Sequence, residues 1–305
     1  MIAFILRRTL WAIPVLWVVA TLTFIVMHIV PGGPFDKEKK LPPEIKANVE
    51  AKYHLDQPIS RQYLLYLGGL LRGDLGPSYK YLGRTVRDVI ADTFPVSVEL
   101  GLLALLIAFV LGLIAGIVSS WNAHSFWDRG VMFLATAGVS TPNFVLGALL
   151  VFVFSYRYPI FPPALWEDLR HAILPAMTLG LGPAAYIARL SRSSILETNR
   201  QDYVRTARAK GLSEGAILFR HVLRNSITPV VTILGPLTAA LVTGSFVVEF
   251  IFSVPGMGKF FITAVTNRDY PLIMGVTLIY ALLIVIANLV VDILYTWIDP
   301  RVKLT

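Results

Sequence analysis

Side chains able to do covalent or metal chemistry are few in this 305-residue chain and are not grouped. The five histidines, His28, His54, His124, His171 and His221, lie far apart without the paired spacing of metal ligands, and each reads as an ordinary side chain near a helix end. Cysteine is absent, which excludes disulfides, thiolate metal sites and cysteine nucleophiles. No Gly-x-x-x-x-Gly-Lys-Ser/Thr run is present to cradle nucleotide phosphates, and no Gly-x-Ser-x-Gly turn to present a serine. Neither catalysis nor a cofactor is expected, so the energy the protein uses must arrive through contact with a partner. The strongest pattern is one of recognition: a basic, helix-prone stretch from Asp202 to Asn225 with a central glycine, set between two long apolar runs.

The elements that position this stretch are membrane helices. With 55% hydrophobic and 15% charged residues and a mean hydropathy of +0.67, the chain is far too apolar for a soluble domain. Apolar runs of about 18–25 residues, long enough to cross a hydrocarbon core as helix, number roughly six. They are Thr9 to Val30, Val96 to Ser119, Val131 to Tyr156, Ile173 to Leu190, Ile227 to Val248 and Leu272 to Trp297, and Pro142 and Pro175 are expected to break the third and fourth. The expected fold is an all-α membrane protein with six spans.

The first run follows Arg7 and Arg8, is too long for a secretory signal, and meets no small-residue cleavage site before Pro31. Its short positive flank places the N-terminus in the cytoplasm, and an even span count returns the C-terminus there with Arg301 and Lys303. The loop between the fourth and fifth spans then faces inward, carrying Arg189, Arg192, Arg200, Arg205, Arg208, Lys210, Arg220 and Arg224, whereas Glu249 to Pro271 holds only Lys259 and Arg268 as bases. A net charge of +8 is accounted for by this orientation and by anionic lipid, so no nucleic-acid partner is expected.

Three regions follow: a first transmembrane helix at 1–30, a helical insert at 31–95 outside the membrane, and a core at 96–300 that includes the basic loop 199–225. In the insert, Pro43 can open a helix with Ile45, Val49 and Tyr53 on one face, and Gln62 to Leu71 continues with Leu64, Leu67, Leu70 and Leu71. After the turn from Gly73 to Ser78, Thr85 can cap a short helix that buries Val86, Val89 and Ile90. The insert either receives a delivery protein or shields the pore mouth, or it merely packs on the spans.

Within the basic loop, Asp202, Arg205, Thr206, Ala207, Arg208 and Lys210 form one helix that ends at Gly211, which can adopt the left-handed conformation, followed by Leu212. Ser213 can cap the next helix, from Glu214 towards Asn225. A short helix between two turns can lie in a partner's groove and carry motion between rigid bodies; a solvated basic loop on lipid is the other reading. Polar residues near the spans, which are costly there, are Glu99, Asn143, Glu249, Asn288 and Asp292. Asn143 and Glu249 are expected to face a translocation path, with interhelical hydrogen bonding as the competing role. Pro255, Gly256 and Gly258 suggest a turn at the outer mouth, either part of a gate or a plain re-entrant loop.

The chain resembles the inner-membrane permease subunits of the dipeptide and oligopeptide branch of ATP-binding cassette importers. TARAKGL at Thr206 to Leu212 looks like that branch's version of the family's EAA loop. Further matches are FILRR at Phe4 to Arg8, LPPEIKANVEAKYHL at Leu41 to Leu55, GDLGPS at Gly73 to Ser78, VPGMGKF at Val254 to Phe260, NRDYP at Asn267 to Pro271 and DILYTWIDPR at Asp292 to Arg301. Within the branch the likeness is strongest to the oligopeptide permease subunit that pairs with a second, different permease. The resemblance implies a type I importer permease fold in a bacterial inner membrane, a second homologous permease subunit, two P-loop ATPase subunits docking on the EAA loop, and an extracytoplasmic peptide-binding protein. Arg205, Thr206 and Ala207 take the place of the motif's first three letters and Gly211 matches its glycine. The leading glutamate is thus Arg205, and His221, Leu223 and Arg224 replace most of the downstream Ile-x-Leu-Pro. Dipeptides, nickel chelates, glutathione and sugars remain open as substrates beside oligopeptides. A self-sufficient secondary transporter or channel would require inverted repeats and coupling-ion residues, and the sequence displays neither.

Overall fold

The structure, a computed structural model, describes residues 2–30, 34–35 and 50–298. The helix expected from Pro43 with Ile45 and Val49, most of the Leu41 to Leu55 match, and the C-terminal bases Arg301 and Lys303 lie outside the described residues. Contacts group the chain into two compact units, Met1–Val96 with Pro255–Ile286, and Ser97–Val254 with Ala287–Thr305.

In the first unit, α1 (Ile2–Ile29) and α2 (Ile59–Leu71) precede α3 (Val86–Trp121), and α12 (Met257–Asn267) precedes α13 (Tyr270–Ile298). Thr85 does cap a helix that buries Val86, Val89 and Ile90. The cap is reciprocal: Thr85 N donates to Asp88 Oδ2 (2.9 Å) and Asp88 N to Thr85 Oγ1 (3.2 Å). The helix is not short, however; it continues through Pro95 into the second apolar run, 36 residues in all. At 1.5 Å per residue that is about 54 Å, well beyond a hydrocarbon core of roughly 30 Å. Val86, Val89 and Ile90 pack with Met257, Ala264, Leu272, Ile273 and Val276. The leucine face expected in α2 is not buried: Leu64 and Leu71 are exposed, and Tyr63 and Tyr66 meet Phe24 instead.

A buried carboxylate organises the Gly73–Ser78 and Asn267–Pro271 motifs. Arg268 ends α12 in the left-handed region (φ 57°), and Asp269 follows, fully enclosed. Its carboxylate accepts from the amides of Tyr79 (3.1 Å), Lys80 (3.3 Å) and Leu272 (3.4 Å) and from the Ser78 hydroxyl. The start of α13 and a loop about 190 residues earlier are thereby tied to one side chain.

The second unit contains the remainder of α3 with α4 (Phe126–Ser140), α5 (Asn143–Val151), α6 (Leu169–Thr198), α7 (Asp202–Ala209), α8 (Glu214–Ile217), α9 (Leu223–Ser226), α10 (Thr228–Val242) and α11 (Phe246–Ile251). Ala104, Ala108, Gly112 and Gly116 recur every four residues along α3 and so share a face. That face meets α6 at backbone range: a Cβ on Gly112 would stand 2.6 Å from the Ala184 carbonyl oxygen, and one on Gly116 2.5 Å from Ser191 Cβ. Such close approach through small residues is how helices pack where lipid removes the hydrophobic drive.

Of the two prolines expected to break a span, Pro142 does so and Pro175 does not. Thr141, held extended (φ −88°, ψ 123°) as residues before proline tend to be, ends α4, and the chain turns by 114° into α5 and the π-helical Phe152–Arg157. Pro175, expected to break a span, lies inside an unbroken α6 together with Pro183. Leu174, Ala176, Thr178 and Leu179 around it are buried, so neighbouring helices hold the turn in place. The fifth run also ends early: α10 stops at Val242, and Gly244 (φ +88°) turns the chain into α11, capped by Ser245. Among the described residues, four helices are long and apolar enough to cross a membrane, or up to six if each bent pair forms one span.

Candidate coupling site and buried polar centres

The basic loop begins where α6 ends at Asn199. The amides of Val204 and Arg205 donate to the Gln201 carbonyl (3.1 and 3.2 Å), starting α7, and Gly211 (φ +79°) ends it. Ser213 Oγ accepts from Ala216 N (3.4 Å) and starts α8, which runs on through a π-helical Leu218–Val222 into α9. Gly211, Ser213 and the eight-residue α7 therefore stand as the local sequence pattern requires.

Two residues fasten α7. Val204 and Ala207, three apart and so on one face, are buried against Ile195, Ile217, Leu218 and Val222. Asp202, Arg205, Thr206, Lys210 and Leu212 remain exposed. Arg205 Nη1 stands 3.7 Å from Asp202 Oδ1, a loose surface pair. Arg208 is different in role: its Nε and Nη2 donate to Glu214 Oε1 (2.8 Å) and Oε2 (3.1 Å), and Nη2 also donates to Asn199 Oδ1 (2.7 Å). It clasps the last turn of α7 to Asn199 at the end of α6 and to Glu214 in α8, and the Glu214 carboxylate holds its guanidinium above its ordinary pKa. Tyr203 OH accepts from Asn225 Nδ2 (2.8 Å), a third tie. The result is a short helix held on one face and along its flanks, with a basic face left open.

Asp128 and Arg192 form a centre that composition alone did not reveal. Asp128, 4% exposed in the first turn of α4, accepts from Arg192 Nε and Nη2 (both 2.7 Å), from His124 N (2.8 Å) and from the Ser119 hydroxyl. Arg192 lies on α6 one turn before Ile195, which seats α7. The bidentate pair thus pins the α3–α4 turn to the helix that leads into α7. The signal available in the sequence was an aspartate opening an apolar helix and an arginine within another, 64 residues apart.

The polar residues of the apolar runs separate by environment. Glu249 is fully buried, its Oε1 accepting from Ser97 Oγ (2.9 Å) and Ser245 N (3.3 Å). Asn143 is exposed in the first turn of α5, and Glu99 and Asn288 are exposed too; the Asp292 side chain lies outside the described residues. Pro255 is exposed, whereas Gly256 and Gly258 are buried at the start of α12, where Gly256 is the N-cap.

Comparison with known proteins places this architecture. Residues 108–304 match the family described as binding-protein-dependent transport system inner membrane component, and residues 1–101 match its N-terminal family. The chain is 45% identical over 298 residues to the dipeptide transport system permease protein DppB of Bacillus subtilis, covering 97% of each chain. It is 44% identical over 305 residues to the oligopeptide transport system permease protein OppB of Salmonella typhimurium, covering 99% of this chain and 100% of that one. In fold it is similar to an amino acid ABC transporter solved with histidines (TM-score 0.54, 15% identity, 68% of this chain and 93% of that one). The inward-facing MetNI methionine ABC transporter is similar too (TM-score 0.53, 16% identity, 69% and 96%). The chain belongs to the family of inner membrane components of binding-protein-dependent transport systems.

Proposed function

We propose that this chain is one of two permease subunits of an ATP-binding cassette importer that takes up oligopeptides delivered by an extracytoplasmic binding protein. ATP is hydrolysed by two separate P-loop subunits, each of which engages one permease. In this reading α7 is the docking helix, inserted into a cleft of the ATPase through Asp202, Arg205, Thr206, Lys210 and Leu212. Both termini lie in the cytoplasm of a bacterial cell. The observation that carries the reading is α7 itself: Val204 and Ala207 anchor it, Arg208 clasps it, and Asp202, Arg205, Thr206 and Lys210 stand exposed on it. Asn143 lines the path, Glu249 serves it from within the wall, and Pro255, Gly256 and Gly258 belong to the outer gate. Dipeptides are the second substrate reading, supported by a dipeptide permease relative as similar as the oligopeptide ones.

Gentle purification of the tagged chain from its native membrane, followed by mass spectrometry, tests the assembly. A second permease and P-loop ATPases are the expected companions, and a uniform preparation of this chain alone would refute the proposal. Uptake of labelled di-, tri- and pentapeptides by the reconstituted complex then decides between the two substrate readings.

A further inference from the structure

Helix α2 has no buried residue, yet one of its sides is closely engaged by α1. Tyr63 OH lies 2.7 Å from Thr21 Oγ1, the Phe24 ring stands 5.2 Å from Tyr63 and 5.8 Å from Tyr66, and Gln62 Oε1 is 3.2 Å from His28 Nε2. These α1 residues sit eight, five and one positions before the helix end at Ile29, which at 1.5 Å per residue is about 12, 8 and 2 Å inside it. The apolar stretch of α1, Leu6–Ile29, has 24 residues, so it measures about 36 Å against a hydrocarbon core of roughly 30 Å. Centred in that core, it leaves about 3 Å beyond the hydrocarbon at each end, and Phe24 falls inside. The start of α13, a second membrane-crossing helix, marks the same level, since the His28 and Tyr270 rings are 6.2 Å apart. Gln62, Tyr66 and Gly69, successive turns of α2, line a cavity of about 330 Å³ whose opposite wall includes Tyr270 and Met274 of the first turns of α13. Both halves of α2 are therefore near the hydrocarbon boundary.

The opposite side of α2 is apolar and uncovered. At 100° per residue Arg61, Leu64, Leu65, Gly68, Leu71 and Arg72 share one face, and Leu64 is 67% and Leu71 90% exposed. Leucines along the middle with arginines at the two ends are the arrangement of a helix lying in a membrane interface, where long cationic side chains reach back to the headgroups. We propose that α2 is an interfacial helix: its leucine face is covered by acyl chains of the leaflet at the C-terminal end of α1, and Arg61 and Arg72 contact lipid phosphates. On this proposal α2 lies at the membrane surface instead of in a cap outside the membrane, and the aromatic cluster of Phe24, Tyr63 and Tyr66 is the seam that fixes its depth.

Because the chain has no cysteine, a single introduced cysteine is the one labelling site in this subunit, and the partner subunits are used in cysteine-free form. A nitroxide is attached at Leu64→Cys and at Leu71→Cys in the full transporter held in lipid nanodiscs, with Leu22→Cys on the exposed side of α1 as the lipid-facing reference. The expected result is relaxation by oxygen exceeding that by a water-soluble nickel chelate at both positions, with a depth shallower than that of Leu22→Cys. Chelate-dominated relaxation would show α2 standing in water and overturn the proposal. Inaccessibility to both relaxers would show a protein partner on the leucine face and overturn it equally. If either labelled protein fails to assemble, Leu65→Cys reads the same face.

Discussion

The α7 segment and the Asp269 corner solve opposite problems with similar residues. At the corner both oxygens of a buried carboxylate are engaged by the protein's own donors. In α7 two apolar side chains and one arginine clasp provide the attachment, and most of the charge is left in solvent. The contrast teaches where to look for contact: a buried charge satisfied from within is scaffold, whereas an ordered helix with exposed charge is where a partner is to be sought. The Asp128–Arg192 pair stands between the two, a buried fastening on the same helix that leads into α7.

The largest effect is expected at the corner. Asp269→Ala strands three backbone amides and a hydroxyl in a closed site, at about 1–3 kcal/mol for each donor left unpaired. The amount of folded protein in membranes should collapse, while any surviving molecules transport normally. A normal yield with impaired transport would make the corner functional rather than scaffold.

Gly211→Val should come next, and by another route. No atom lies within 4 Å of a Cβ there, so no clash is created, but φ of +79° costs a β-branched residue about 1–2 kcal/mol or reorients the turn. Insertion should be retained, with uptake and substrate-stimulated ATPase falling at least about tenfold. Normal uptake would remove the coupling role of α7.

Arg192→Lys keeps the charge but loses the bidentate fork. Uptake per ATP hydrolysed is expected to fall several-fold with assembly intact, because the α3–α4 turn no longer follows α6. An unchanged ratio would reduce the pair to scaffold.

The smallest effects should separate Arg208 from Arg205. Arg208→Ala loosens the clasp and should raise the mobility of a spin label placed on α7 in the isolated subunit, with uptake lowered about two- to five-fold, in the range of a lost surface ion pair. Arg205→Ala should leave that mobility unchanged and instead weaken retention of the ATPase subunits during purification. Equal behaviour of the two variants would erase the division between the clasping and the solvent-facing arginine of α7.

Much of this organisation was legible in the chain. Thr85 and Ser213 cap helices, Gly211 takes the left-handed conformation, and apolar runs become helices, because each depends on neighbours within a turn or two. The prolines were less legible. Pro142 and Pro175 present the same local defect, yet one turns the chain by 114° and the other sits in an unbroken helix. Whether a missing hydrogen bond opens a helix depends on what packs around it, and Pro175 is flanked by buried residues.

By itself the sequence determined that the chain is helical and membrane-embedded, and that a short basic helix with a glycine stop follows the α6 run, since hydropathy and capping act locally. Only the tertiary structure decided that Arg208 clasps Glu214 and Asn199 while Arg205 points into solvent, that Asp128 meets Arg192, and that Asp269 holds Ser78. The physical reason is distance along the chain. A charge declares its need for a partner in one residue, but which partner satisfies it is settled when segments 64 or 191 residues apart close on one another.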